Sequence, residues 1–273
     1  MTSQKNEVTK RDITFASRTV TRIWEERPSP HNPYLAESCL CHGYDLTGLV
    51  EARSYIDTLF LLFQGELPSP SQAKLLEMLL IAFCNPGPRH PATRAAMNAG
   101  VGKTSPAHIL PIGLTVMGGE HLGGQEVEDA IRFFRKHEAV PPEDIAGQRM
   151  TQERPAEGDV HIAPGFGSRF GGIDPMPGKV AHILTAHSGA GRALRWGNLF
   201  AEAIGQSNMG WLATGVVAAV LCDLGFNPQA GAGLFQLICA PGILAHGLEL
   251  ANKPISAMPF LDEEHYVIES TTR

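Results

Sequence analysis

Apolar residues that recur at helical spacing, in segments separated by Pro- and Gly-rich loops, constrain the fold of this chain most. One such segment contains Leu49, Ile56, Leu59 and Phe60 and ends near the sequence GELPSPS. The same spacing predicts helices over residues 72–83, 92–100, 125–137, 179–204 with a break near 189–191, 211–224 and 230–251. Strand-like alternation is almost absent. We therefore predict an all-α fold, with residues 21–45 irregular and residues 139–162 a polar connector.

Charge and cysteine content narrow the class of protein. The formal net charge of −6 argues against a general nucleic-acid binder, because such proteins carry a basic face for phosphates. Five cysteines at no metal or redox spacing indicate reduced thiols. Residues 1–12 are polar and show no apolar signal core, which favours a cytoplasmic protein. Within the uncharged run over residues 203–222, only residues 209–222 are consistently apolar, which is too short for a membrane span. We therefore expect a buried helix there and no membrane partner.

Two glycine-rich segments contain polar side chains suited to ligand binding. In GGEHLGG, four glycines surround Glu120 and His121, directly before an amphipathic helix whose N–H groups suit an anion or an enolate oxygen. In GFGSRF, Arg169 offers a planar guanidinium to a carboxylate or phosphate. Each segment alone is equally consistent with a tight surface turn. The following stretch, EVEDAIRFFRKHE, is interpreted as a solvated face with an apolar underside.

Six segments, in chain order, resemble motifs of one known family. They are HGYDLTGLVEARSYIDTLFLLFQGELPS (42–69), CNPGPRHPATRAAMNAGVGK (84–103), GGEHLGGQEVEDA (118–130), GFGSRFGGIDPMP (165–177), PGILAHGLELANKP (241–254) and PFLDEEHYV (259–267). Over residues 23–267 the chain resembles the citrate synthase superfamily. The resemblance is strongest to its short lyase branch, which includes citryl-CoA lyase and the C-terminal module of ATP-citrate lyase.

The resemblance implies an all-α, citrate-synthase-like fold with an interdomain cleft. It implies a large helical domain over 21–125 and 205–273, a small domain over 126–204, and a homodimer or higher homo-oligomer. It further implies a coenzyme A thioester as substrate, a carboxylate partner molecule and no metal. Family enzymes make or break a carbon–carbon bond between an acetyl-CoA enolate and a 2-oxo acid. That chemistry needs an acid/base, donors for the enolate oxygen and cations for carboxylates.

The residues at the family's catalytic positions depart from its pattern. The His of the GfGHR motif falls on Ser168, and the catalytic Asp falls on Trp211. An oxo-acid-binding His falls on Pro86. The His of the HGG turn falls on Leu122, one residue from His121. The Arg of GfGHR is kept as Arg169. The resemblance therefore implies the fold and a carboxylate-binding cation without reproducing the family's acid/base set.

Two hypotheses follow from these departures. In the first, which we favour, the chain is a citryl-CoA-lyase-like enzyme with a rebuilt site. Glu120 or His121 is then the acid/base and Ser168 a hydroxyl donor. The residues assigned to substrate carboxylates are Arg169, Arg89, Arg94 and His90. Those assigned to coenzyme A are Gly165, Phe166 and Gly167. In the second hypothesis, the chain is a catalytically inactive paralogue that binds CoA esters or a homologous partner subunit.

Overall fold

The structure is a computed structural model that describes residues 18–151, 159–259, 261–262 and 264–269. The polar segment 1–12 lies outside these residues. The chain divides into two compact units, Met1–Glu66 and Leu67–Arg273. The domain boundaries implied by the family resemblance differ from this division and stay a prediction.

The first unit contains an antiparallel sheet where the sequence predicted irregular structure. Its strands are β1 (Trp24–Ser29), β2 (Asn32–Cys41) and β3 (Tyr44–Asp45), in the order β1-β2-β3. The register runs from Trp24 opposite Cys41 to Arg27 opposite Ser38 and shifts at Pro28. The prediction of an irregular segment over 21–45 was wrong because most of the hairpin is exposed on both faces. Such a strand has no apolar–polar alternation to detect.

Two helices follow the sheet in the described part of the first unit. They are α1 (Leu46–Ala52) and α2 (Tyr55–Gln64). Ser54 and Asp57 form a reciprocal capping box at the start of α2, which satisfies two N–H groups of the first turn. Gly65 ends α2 in the left-handed conformation, at φ 80°, where glycine is favoured.

The second unit confirms the predicted helical fold. Its helices are α3 (Pro70–Phe83), α4 (Pro91–Val101), α5 (Pro106–Met117), α6 (Gly124–His137), α7 (Pro142–Met150), α8 (Pro175–Thr185), α9 (Arg192–Gly205), α10 (Ala213–Asp223) and α11 (Pro228–Ala251), followed by a 3₁₀ turn at Ile255–Ala257. Prolines begin most of these helices because their missing N–H costs nothing there. The predicted connector over 139–162 contains α7.

Helices α10 and α11 form the centre of the second unit. Helix α10 is buried from Thr214 to Leu221, as expected for the uncharged run. Helix α11 packs against α4, α5 and α6. A Cβ atom on Gly100 would lie 2.1 Å from the Gly247 carbonyl oxygen, so α4 and α11 touch through their backbones. Among the described residues, α11 alone is long and apolar enough to cross a membrane, and 44% of its apolar window is buried.

A short second sheet connects the loop after α7 to the start of α10. Its strands are β4 (His161–Ala163), β5 (Phe166–Gly167) and β6 (Gly210–Trp211), all antiparallel in the order β4-β5-β6. The Leu212 N–H donates to the Gly165 carbonyl oxygen over 2.9 Å. This sheet thereby places the GFGSRF segment beside the N-terminus of α10.

Candidate functional site

A cavity of about 190 Å³ in the second unit contains several of the predicted site residues. We call it the inner cavity. Its walls come from the NPGP loop after α3, from the starts of α8 and α10, and from α11. The lining residues used below are Phe83, Pro86, His90, Leu122, Arg169, Asp174, Met176, Pro177, Leu212, Thr214, Phe235 and Cys239.

Two shallower concavities adjoin the inner cavity. An outer groove of about 440 Å³ shares Pro86, Arg169 and Asp174 with it and also includes Arg89. A basic groove of about 700 Å³ shares Arg89 with the outer groove and adds Arg94. The three spaces therefore form a series with arginines along its length, from Arg169 at the inner end to Arg94 at the outer end.

Arg169 is positioned by a tight turn that its own neighbours form. The N–H groups of Arg169 and Gly172 donate to each other's carbonyl oxygens over 2.8 and 2.9 Å. The central residues, Phe170 and Gly171, have φ values of 51° and 76°, as a type I′ turn requires. The Phe170 N–H donates to Asp159 Oδ1 over 2.8 Å, which holds this non-glycine residue in the left-handed region. The guanidinium lies 5.0 Å from the Phe170 ring centre.

Asp159 lies between Arg169 and His121. Its Oδ2 atom is 3.7 Å from Arg169 Nε and 3.9 Å from His121 Nε2. The His121 side chain is 57% exposed, and its ring centre is 4.7 Å from that of His161. His121 is thus next to Arg169 but is not among the described residues that line the inner cavity. Glu120 is exposed.

His90 is fixed as a neutral ring with a defined tautomer. It caps α4, where its Nδ1 accepts the Ala92 N–H over 3.2 Å. Nε2 therefore holds the proton and donates to the Leu122 carbonyl oxygen over 3.0 Å. Burial lowers the pKa of His90 below its ordinary value, which favours the neutral form. With both nitrogens used, His90 offers a ligand the face of its ring.

The residue that holds the two glycine-rich segments together is Glu126, in the first turn of α6. It is only 4% exposed, and one carboxylate oxygen accepts the Leu122 N–H over 2.9 Å. The other accepts the Gly165 N–H over 3.2 Å and the His161 Nδ1–H over 2.8 Å. The hydrogen bond to Glu126 raises the pKa of His161. The interpretation of this stretch as a solvated face was therefore wrong at Glu126, although it holds for Asp129 and Arg132, which are exposed.

Sequence reasoning missed Glu126, Asp159 and His161. A usable signal for Glu126 was its place two residues after a pair of glycines at a helix start, where a carboxylate meets unpaired N–H groups. Asp159 and His161 lie in a polar loop with no local pattern to distinguish them. Their contacts arise from the pairing of β4 with β5, which sequence spacing does not reveal.

The segment assigned to coenzyme A lies inside the protein. Gly165, Phe166 and Gly167 are buried, and none is among the described residues that line the inner cavity. A Cβ atom on Gly215 would lie 2.1 Å from the Gly165 carbonyl oxygen, so the backbones touch here. The Ser168 side chain is also buried, and its N–H donates to the Val160 carbonyl oxygen over 2.9 Å. Arg94 and Arg89 are exposed and line the grooves.

The four family positions at which this chain departs from the pattern lie in different surroundings. Pro86 and Leu122 line the inner cavity, and Ser168 is buried at the sheet end. Trp211 belongs to an aromatic cluster, where it stacks on Phe166 at 4.5 Å and donates its indole N–H to Asn198 Oδ1 over 2.9 Å. A different carboxylate, Asp174, lines the inner cavity. It caps α8 by accepting the Met176 N–H over 3.1 Å.

Two further side chains bear on the chemistry available in the cavity. Burial raises the pKa of the Cys239 thiol to about 12, so it is protonated and is a poor nucleophile. Thr214 is fully buried, and its hydroxyl has no hydrogen-bond partner in the described part of the chain. No three His, Cys, Asp or Glu side chains among the described residues are grouped as a metal site requires.

Comparison with solved structures identifies the fold. The chain matches citryl-CoA lyase from Hydrogenobacter thermophilus with a TM-score of 0.73 and 24% identity, over 93% of this chain and 95% of that one. It matches ATP citrate lyase from Methanothrix soehngenii, in complex with citrate and coenzyme A, with a TM-score of 0.70 and 17% identity, over 94% of this chain and 44% of that one. Citrate synthase from Thermotoga maritima matches with a TM-score of 0.60 and 18% identity, over 81% and 59%.

The chain therefore spans less than half of that ATP citrate lyase and almost the full length of that citryl-CoA lyase. The citrate-synthase-like fold expected from the six sequence segments is confirmed. The sequence matches no protein-family model and no curated protein.

Proposed function

We propose that this chain binds a coenzyme A thioester along the series of inner cavity, outer groove and basic groove, and cleaves or forms a carbon–carbon bond in its acyl group. The observation that carries the proposal is the continuous series of spaces with Arg169, Arg89 and Arg94 along it. The inner cavity, about 190 Å³, is the size of a small acyl group, while the grooves have room for a longer polar chain. Exposed arginines suit the phosphates of coenzyme A.

In this proposal Arg169 binds a carboxylate of the acyl group. Its guanidinium reaches the cavity from a rigid turn, and its buried Nε has no hydrogen-bond partner among the described residues. Thr214 supplies a hydroxyl donor to the thioester oxygen or the carbinol, where negative charge develops in the transition state.

Asp174 is the acid/base that this geometry favours, in place of Glu120 or His121. It is the one carboxylate among the described residues that line the inner cavity, and it keeps one oxygen after capping α8. Removal of the carbinol proton breaks the adjacent carbon–carbon bond, and a proton returned to the resulting enolate carbon completes cleavage. His121, paired loosely with Asp159, is left to orient Arg169.

The second candidate function is binding without turnover. It is favoured by Pro86, Ser168 and Trp211 at the family's catalytic positions, since none of them supplies an acid or base. In that case the cavity binds a CoA ester, or the chain serves as the silent partner of a homologous subunit.

One assay separates the two candidates. The purified chain is incubated with citryl-CoA and a panel of other 3-hydroxyacyl-CoA thioesters, and acetyl-CoA is measured by chromatography. We expect acetyl-CoA release, reduced about 100-fold by Arg169→Ala because a charged hydrogen-bonding partner is lost. The control is Arg132→Ala, which removes a surface arginine. Calorimetric binding of the thioesters without any release would support the second candidate.

The proposal includes a homodimer in the cytoplasm. Helices α5 and α11 pack together, and each leaves apolar side chains exposed: Ile112 and Val116 on α5, Leu237 and Leu248 on α11. A second copy of this chain would cover these side chains. All five cysteines are free, which suits a reducing compartment.

A further inference from the structure

The inner cavity contains little net positive charge. Arg169 is the only Lys or Arg among the described residues that line it, and Asp174 lines it as well. His90 is a neutral hydrogen-bonded ring, fixed by the Ala92 N–H and the Leu122 carbonyl. The cavity can therefore compensate one carboxylate of a ligand, whereas a second would lie near Asp174 without a cation.

Even Arg169 is partly neutralised before a ligand binds. Asp159 Oδ2 lies 3.7 Å from its Nε atom, and the Asp159 side chain is 17% exposed. Because this ion pair is partly buried, the Asp159 carboxylate reduces the positive electrostatic potential of the Arg169 guanidinium in the cavity. The remaining N–H groups of Arg169 can make one bidentate contact with a single ligand carboxylate.

The rest of the wall is mostly apolar. It includes Phe83, Leu122, Met176, Pro177, Leu212 and Phe235. The Thr214 hydroxyl adds a neutral donor. An acyl group that fits these surroundings has one carboxylate, one hydroxyl and an apolar substituent.

We propose that the acyl group cleaved here is a 3-hydroxyacyl group with a single carboxylate and an apolar substituent, rather than a citryl group with two. This inference rests on the proposed function and specifies its substrate class. Citramalyl-CoA, with a methyl group in place of the second carboxymethyl arm, is the matching probe. In the reaction, the carbinol oxygen loses a proton, the bond between the α and β carbons breaks, and its electron pair forms the thioester enolate. The enolate takes up one proton, so the products are acetyl-CoA and pyruvate.

The test compares citramalyl-CoA with citryl-CoA, by acetyl-CoA release and by calorimetric binding of the intact thioesters. We expect citramalyl-CoA to have at least a tenfold higher kcat/KM and a tenfold lower Kd. A preference for citryl-CoA, or no binding of either thioester, would overturn the inference. If neither is cleaved but citramalyl-CoA binds more tightly, the proposed lyase activity fails and the substrate class stands.

A charge-adding pair of variants tests the same point from the protein side. Met176 is 57% exposed at the lip of the cavity, and Ile183 is 62% exposed farther along the same helix α8. Met176→Arg supplies a second cation. It should change the ratio of the Kd for citryl-CoA to the Kd for citramalyl-CoA about tenfold in favour of citryl-CoA. Ile183→Arg adds the same charge outside the cavity and should leave the ratio unchanged. Equal shifts in both variants would contradict the role of the cavity charge.

Discussion

His161 donates a hydrogen bond from Nδ1 to the buried Glu126 carboxylate over 2.8 Å, and the same carboxylate accepts N–H groups from both glycine-rich segments. Glu126 thus connects Leu122, whose carbonyl fixes the tautomer of His90, to Gly165 beside helix α10. These three hydrogen bonds compensate for the burial of the Glu126 carboxylate in α6.

Replacing Glu126 should destabilise the second unit strongly. Glu126→Ala leaves the Leu122 and Gly165 N–H groups and His161 without their acceptor, so we expect the free energy of unfolding to fall by about 3–5 kcal/mol. Chemical denaturation measures the change. Glu143→Ala, at an exposed position on α7, is the control and should change stability by less than about 0.5 kcal/mol. Equal effects at both positions would contradict the buried network.

The hydrogen bond between His161 and Glu126 also predicts how stability changes with pH. The pKa of His161 is higher in the folded chain than its ordinary value of 6.5, because Glu126 accepts its proton in a hydrogen bond. Its contribution to stability is therefore complete below pH 6.5 and is lost as the pH rises through the higher, folded-state value. We expect the stability difference between the natural chain and His161→Gln to shrink over that range.

His90 should behave in the opposite way, which makes it an internal control. Burial lowers its folded-state pKa, so its contribution is present above pH 6.5 and is lost as the pH falls through the lower value. A His90→Gln variant should therefore lose part of the acid sensitivity of the natural chain. Identical pH profiles for the two variants would show that the Glu126 hydrogen bond does not raise the pKa of His161 and that burial does not lower the pKa of His90.

Much of the fold was predictable because the spacing of apolar residues indicates which face of a helix is buried. Helices α3, α4 and α6 begin within two residues of their predicted starts. The β1–β2 hairpin was not predictable in this way, since its strands are exposed and held by backbone hydrogen bonds.

The site was predictable only in part. Arg169 and His90 reach the inner cavity, as their motif positions suggested, and Arg89 and Arg94 line the adjoining grooves. Asp174 was not predicted, although an Asp directly before a proline is typical of a helix cap. Its access to the cavity depends on how α8 packs, which the sequence does not show. The network of Glu126 requires contacts between residues 35 and 39 positions apart, which no local pattern encodes.

Asp174→Asn should separate catalysis from binding. The amide oxygen can still accept the Met176 N–H and cap α8, but it cannot take up a proton. We expect acetyl-CoA release to fall by about 100-fold or more, with the Kd of the CoA thioester changed less than about threefold. Asp144→Asn, an exposed change on α7, should leave both values unaltered. Full activity of Asp174→Asn would exclude it as the acid/base.

The grooves predict a salt-dependent contribution to coenzyme A binding. The double variant Arg89→Gln and Arg94→Gln removes two exposed cations, so the Kd for coenzyme A should rise about tenfold at low salt and less at high salt. Calorimetric titrations at two salt concentrations measure the effect. Arg53→Gln, an exposed change in the first unit, is the matched control. An unchanged Kd in the double variant would place the phosphates elsewhere.

The exposed apolar side chains of α5 and α11 predict the oligomeric state. Leu237 is 51% exposed on α11 and Val116 is 40% exposed on α5, and a second copy would bury both. Leu237→Glu places a charge in that interface, so we expect a shift from dimer to monomer in light scattering coupled to size-exclusion chromatography. Leu199→Glu is the control, because Leu199 is similarly exposed, at 48%, on a different helix, α9. A dimer that survives Leu237→Glu, or that Leu199→Glu disrupts instead, would assign the interface to another surface.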